Sequence, residues 1–161
     1  MKLTMAFFLV LLLPINTAQA GNEIILKQNN APLEISNYSA TYRSPDRGIG
    51  DGSIIHRLSV KNISDQTIEA YGLGFYAFDA FNRSLGRPFV GYDMSAISAA
   101  ELFQPSWENR VVSAYLFRKH GTAAAYVAIV RFRDGTIWKA NETDIAIQLE
   151  SLELELSEQF E

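Results

Sequence analysis

The feature that most constrains this chain is its rhythm: from Leu33 to Lys139, β-forming segments alternate with turn signals about every ten residues. Leu33 to Arg43 mixes polar and apolar β-formers, and Ser44 to Ser53, with Pro45 and its glycines, reads as a loop. Ile54 to Asn62 then alternates cleanly. Ile54, His56, Leu58 and Val60 share one face, and Ile55, Arg57, Ser59 and Lys61 share the other. A polar turn over Ile63 to Gln66 leads into Thr67 to Asp79, apolar on both faces as a central strand covered twice would be. Phe81 to Arg87 is turn material. Pro88 to Pro105 reads as an irregular crossover with a helical turn near Met94 to Leu102. Val111 to Phe117 and Thr122 to Arg133 read as strands, the second with Tyr126, Ala128, Val130 and Phe132 on one face. Asp134-Gly135 predicts a type I′ hairpin into Thr136 to Lys139, because that turn needs positive φ at both centres. Many short strands in this pattern predict an all-β sandwich.

From Asn141 the period changes. Ile145, Leu149, Leu152 and Leu156 fall on one helical stripe, Asn141 suits an N-cap, and Glu142 and Asp144 sit where the helix dipole favours acid. A short amphipathic helix is expected here, packed on the sandwich or extending from it, with Trp138 placed to pack against it. This tail, residues 141–161, carries seven acidic residues and no Lys or Arg, whereas residues 21–140 carry 13 basic and 11 acidic ones. The net charge of −4 therefore resides in the tail. No dense basic face is present, which sets nucleic-acid binding aside.

The first twenty residues read as a cleavable secretory signal. Lys2 precedes the apolar run Ala6 to Leu13, Pro14 interrupts it, and Ala18-Gln19-Ala20 supplies the small-x-small pattern that places cleavage before Gly21. The apolar run is well short of the roughly 20 residues that span a bilayer, so no transmembrane anchor is expected. There is no cysteine. Disulfides, a zinc–thiolate site, a thiol nucleophile and a lipidated cysteine are thereby excluded. An exported domain with no disulfides suits a bacterial periplasm, so a periplasmic or secreted location is expected. The expected organisation is a leader at 1–20, a sandwich at 21–140 and the acidic helix at 141–161.

Val60 to Gly86 carries a more specific pattern. A strand ends in Asn62, a short polar turn follows, and the next strand closes on Phe75-Tyr76-Ala77-Phe78-Asp79. This resembles the small bacterial extracellular domains called FxLYD, with Ala77 in the leucine place, Phe78 in the tyrosine place, and Asp79-Ala80-Phe81-Asn82 replacing the usual Asp-x-x-Gly turn. The resemblance implies an immunoglobulin-like antiparallel sandwich and a binding or accessory role.

Residues with catalytic potential have simpler readings. His56 lies on the apolar phase of its strand and is expected to be a hydrogen-bonded core histidine; His120 lies in a basic turn. Asp46 and Asp51 do not fit the spacing of a calcium loop, which would put a Glu where Arg57 stands. Asp79 is expected to cap its own turn. No catalytic, cofactor-binding or metal-binding residue is therefore assigned. The aromatics flanking the turn, Phe81 and Phe89, and the leucines of the tail stripe, Leu149, Leu152 and Leu156, are the candidate partner-binding residues. The expected function is a non-enzymatic binding or accessory module acting on another envelope protein, with an inhibitor or immunity protein as the nearest alternative. A small carboxylate-based hydrolase is the alternative from another class. A second copy of the chain, meeting through the tail helix, is the other candidate partner.

Overall fold

The computed structural model describes residues 22–45, 52–111, 114–118 and 121–156. The expected leader with its expected cleavage positions Ala18, Ala20 and Gly21, the aspartates 46 and 51, and His120 lie outside the described residues.

Among the described residues nine strands form two sheets, followed by one α-helix. They are β1 (Asn22–Ile25), β2 (Leu33–Arg43), β3 (Ser53–Asn62), β4 (Ile68–Phe78), β5 (Phe89–Asp93), β6 (Leu102–Phe103), β7 (Ser106–Arg110), β8 (Thr122–Phe132) and β9 (Ile137–Lys139). The helix α1 spans Glu142–Ser151. Sheet one runs β1–β8–β4–β5, with β9 also on β8; sheet two runs β2–β3–β6, with β7 also on β3. After β1 in sheet one, the chain visits sheet two (β2, β3), sheet one (β4, β5), sheet two (β6, β7) and sheet one (β8, β9) in turn. That is the Greek-key alternation of immunoglobulin-like sandwiches. One pair breaks the expected antiparallel rule: β1 lies parallel to β8, Asn22 opposite Thr122.

The alternation read in β3 is realised. Ile54, His56, Leu58 and Val60 are all buried between the sheets. Leu33, Leu58 and Val60 of sheet two meet Ile68, Leu73, Phe75, Val127 and Val130 of sheet one. β4 is apolar on both faces for the expected reason. Phe75 faces the sandwich interior, while Phe78 faces a second cluster under α1 with Leu26, Ala124, Tyr126, Ile145, Leu149 and Leu154. Gly74 sits between these layers where a Cβ would land in the Tyr126 ring, so only glycine lets that ring lie flat on the sheet. Gly91 does the same for Trp107, which reaches across from sheet two.

β8 does not keep the face assignment read from its sequence. Its register with β4 shifts between Gly72–Ile129 and Leu73–Val127, leaving Ala128 as the extra residue of a bulge. The bulge inverts the phase. Val127 and Val130 therefore both enter the sandwich core, and Tyr126 lies on the opposite face beneath the helix.

Three local expectations are corrected. Met94 to Leu102 contains no helix; β5 precedes it, and Ile97 pairs in an isolated bridge with Ile68. The strand expected at Val111 to Phe117 lies earlier, as β7, and Ala114–Phe117 is a 3-10 turn. The 134–135 hairpin exists but is not type I′. Gly135 has φ +87°, Asp134 is not at positive φ, and Gly135 N–H donates to Phe132 O, giving a type I turn closed by a left-handed glycine.

The polar turn after β3 is held by Asn62, itself fully buried. Its Nδ2 donates to Gln66 O at 2.9 Å and to Ser98 O at 3.1 Å, and its Oδ1 accepts from Ser64 N at 3.0 Å. One side chain thus ties the β3–β4 turn to the crossover before β6.

The helix begins where the sequence predicts. Asn141 caps it, its side chain accepting from Thr143 N at 3.0 Å. It ends earlier than the leucine stripe does, because Glu153 adopts φ +58° and turns the chain. Ile145 and Leu149 are buried, Leu154 replaces Leu152 as the third buried residue, and Leu152 and Leu156 stay partly exposed. Trp138 packs on the sandwich core instead of the helix. Two glutamine side chains complete the layer. Gln148 bonds Lys27 N and O at 2.9 and 2.8 Å, and Gln28 bonds Val127 N and O at 2.8 and 2.6 Å. Each amide stands in for a strand neighbour where β1 has ended. Replacing the cap, Asn141→Ala, is expected to cost about 1 kcal/mol in a urea titration, the usual worth of one N-cap bond. A loss near zero would show that α1 is held by burial alone.

Candidate binding surface

The turn after β4 is built around a buried carboxylate. Asp79 Oδ1 accepts from Phe81 N at 2.8 Å and Arg83 N at 3.0 Å, and Oδ2 accepts from Arg83 Nη2 at 2.7 Å. Burial pushes its pKa up, but these bonds and the guanidinium outweigh burial and hold it below the usual carboxylate range. The capping role read from the sequence is what the structure shows. Asn82 completes the turn at φ +62°.

The tail clamps this turn from outside. Glu155 N donates to Asn82 O at 2.9 Å, and Ser84 N donates to Glu155 O at 3.0 Å. A turn anchored from beneath by Asp79 and from the side by Glu155 has little freedom left. On it stands Phe81, 76% exposed, with the Arg83 guanidinium 5.2 Å from its ring centroid. Beside the turn a cleft of about 380 Å³ is lined by Tyr76, Ser84, Gly86, Arg87, Pro88 and Leu156.

The five candidate partner-binding residues thus separate. Phe81 and Leu156 lie on the turn and its clamp, and Leu152 lies exposed at the end of α1. Phe89 packs half-buried on Phe75, with ring centroids 6.0 Å apart. Leu149 is fully buried in its own domain and offers nothing to a partner in this structure. The helical stripe was the wrong guide for it, since the stripe's first two members face inward and its last two do not.

His56 is fully buried, as its strand phase requires. Its ring stacks on Phe75 at 4.3 Å, and its Nδ1 is 2.8 Å from the Tyr38 hydroxyl. Burial lowers its pKa to about 4, so the imidazole is neutral at pH 7. Among the described residues its Nε2 has no hydrogen-bond partner. A recess of about 10 Å³, room for the centre of one water, adjoins it, walled by Gly86, Arg87 and Asn109 among others. Sequence reading placed His56 in the core but had no means of finding the recess, whose walls come from four separate segments.

Among the described residues no group of three or more His, Asp or Glu is gathered as metal ligands would be, and no helix is long and apolar enough to cross a membrane.

No family model matches this chain, and no curated protein matches it. Among solved structures it is similar to a hypothetical protein of Peptoclostridium difficile 630, with 13% identity and a TM-score of 0.50 over 74% of this chain and 92% of that one. It also aligns with a Northeast Structural Genomics Consortium target at 11% identity and a TM-score of 0.41, over 68% of this chain and 80% of that one. At such identities the first likeness is one of fold alone.

Proposed function

We propose that the chain is an exported, non-enzymatic binding or accessory module of the bacterial envelope, and that it contacts another protein through the turn at Phe81 with Leu156 beside it. The observation that carries this reading is a large aromatic ring held out at 76% exposure on a turn fixed at both ends. An anchor that is already ordered loses little conformational entropy on binding, so more of its burial appears as affinity. The leader-like first twenty residues support export, and the FxLYD resemblance over Val60 to Gly86 supports an accessory role.

The test uses the chain from Gly21 onward as bait against envelope extract, alongside Phe81→Ala. The expected result is a stoichiometric partner held by the parent chain and lost by the variant. Stability of the variant should change by less than about 0.5 kcal/mol, because an exposed ring contributes little to folding. A partner held equally by both chains would move the contact elsewhere, and no partner at all would overturn the reading.

A further inference from the structure

The outer face of sheet two carries a hollow of about 320 Å³, lined by Asn37, Ser39, Arg57, Ser59, Gln104 and Ser106 among others. Arg57 and Ser59 stand on the strand phase opposite the buried Ile54, His56, Leu58 and Val60, so they point away from the core. The register sets Ser39 of β2 and Ser106 of β7 across from Arg57, one on each side, and Asn37 across from Ser59. Side chains so paired lie about 5 Å apart, which gives Arg57 a hydroxyl on either flank. Regular pairing fails on both sides of β3 at this level. β2 bulges at Ser36, between the pairs Ile35–Val60 and Asn37–Ser59. On the far side Gln104 and Pro105 interrupt the ladder between Phe103–Val60 and Ser106–Arg57. Such irregularities re-aim side chains, and here they open a depression in the sheet face.

The hollow is cationic and its polar groups are unengaged. Arg43, Arg83 and Arg131 are paired with carboxylates at 3.1, 2.7 and 3.7 Å. Among the described residues Arg57 has no such partner, and none of the six side chains named above bonds to another group of the chain. No acidic residue lines the hollow. The acids in the neighbouring registers are matched, Glu108 by Arg43 and Glu34 by Lys61 opposite it. We propose that this hollow binds a small organic phosphate, with the phosphate seated on Arg57 between Ser39 and Ser106. A guanidinium fork takes two oxygens of one anion. The flanking hydroxyls then reach the remaining oxygen from either side, which suits a tetrahedral phosphate better than a flat carboxylate. The volume exceeds what a bare phosphate fills and is of the size that holds a small organic ligand, so an ester fits it. Asn37, Ser59 and Gln104 offer two amides and a hydroxyl to the polar body of that ester. The site lies on sheet two and does not depend on the contact proposed at Phe81, which follows a strand of sheet one.

Proton–nitrogen-15 spectra of the full chain at pH 7 and constant ionic strength test this. Glycerol 3-phosphate is the probe, with glycerol and acetate as controls. The expected result is a saturable shift of the backbone signals of Ser39, Arg57, Ser59 and Ser106, produced by the phosphate ester and by neither control. Arg57→Gln should weaken binding by about tenfold or more, the worth of one charge-assisted hydrogen bond. Arg57→Lys keeps the charge and loses the fork, so its affinity should fall between the two. Arg57 is exposed, and urea midpoints close to the parent's should show that both variants fold. Arg110→Gln is the control for general attraction to a positive surface. Arg110 stands opposite Ser53, four residues along β3 from Arg57. That is roughly 13 Å and beyond the screening length, so affinity should change by less than about twofold. No saturable shift, a control response equal to that of the ester, an unchanged affinity in Arg57→Gln, or an equal loss in Arg110→Gln would each overturn the proposal.

Discussion

Phe75→Ala is expected to lower the folding stability by about 3–5 kcal/mol, a loss in the range measured when buried aromatic side chains are truncated. Phe75 is the residue on which the sandwich core turns. It is 2% exposed, and its ring lies 4.3 Å from His56, 5.8 Å from Trp107, 6.0 Å from Phe89 and 6.1 Å from Tyr38. Those four neighbours come from four different strands, so no one segment can move in to fill the space. Part of the cost is lost transfer energy and part is the cavity that remains. In urea the midpoint should fall with the slope unchanged, because the same surface is exposed on unfolding. The melting temperature should drop by roughly 10 °C for a chain of this size. A loss below about 1 kcal/mol would mean that the core can collapse around the deletion, contrary to the packing described. The comparison with Phe81→Ala is instructive, since the same chemical change at an exposed ring is expected to leave stability almost untouched.

Acidification is expected to weaken the fold well before its carboxylates titrate. The folded-state pKa of His56 is about 4 against an ordinary value of 6.5. Between those values the unfolded chain binds a proton that the folded chain does not, so stability falls as pH falls. The contribution is complete above pH 6.5 and declines through the window down to about 4. Linkage gives a loss of about 2 kcal/mol by pH 5 and about 3 kcal/mol by pH 4. Asp79, Asp93 and Asp134 are all held below the usual carboxylate range. Their own losses therefore begin at the acid end of this window, and the interval from pH 7 to 5 reports on His56. Urea titrations at pH 7, 6 and 5 measure it. His56→Gln should flatten the profile, whatever its stability at pH 7. A parent chain equally stable at pH 7 and pH 5 would show that His56 accepts its proton without cost.

Much of this fold was legible because its signals are local. The alternation from Ile54 to Val60 read true, as did the Asn141 cap and the position of the last hairpin. What failed depended on partners distant in sequence. The bulge at Ala128 is invisible in β8 alone, because it exists only relative to Gly72 and Leu73 of β4. β7, Ser106–Arg110, alternates half-buried and exposed residues with just one apolar member, Trp107, so it carries no periodic signal. β1 is four residues long and joins the sheet in parallel, a pairing that no turn signal announces. At the candidate surface, Phe81 was readable as an aromatic in a turn. The Glu155 clamp was not, because it follows a Schellman cap in which Glu153, where a glycine would be expected, takes the left-handed conformation while Glu153 N donates to Glu150 O and Leu154 N to Leu149 O.

The parallel seating of β1 has a consequence for how the protein acquires its shape. Asn22 meets Thr122, a hundred positions later, and β9 takes the other half of the same β8 edge. Hairpins such as β2–β3 and β8–β9 close short loops and can form early, whereas β1 has nowhere to dock until β8 is in place. Its four residues, the buried Leu26 behind them and the Lys27 bonds to Gln148 are therefore expected to be among the last parts to settle. Folding of this domain is accordingly expected to finish with its first described strand, and a variant that weakens the β1–β8 pairing should slow only that last step.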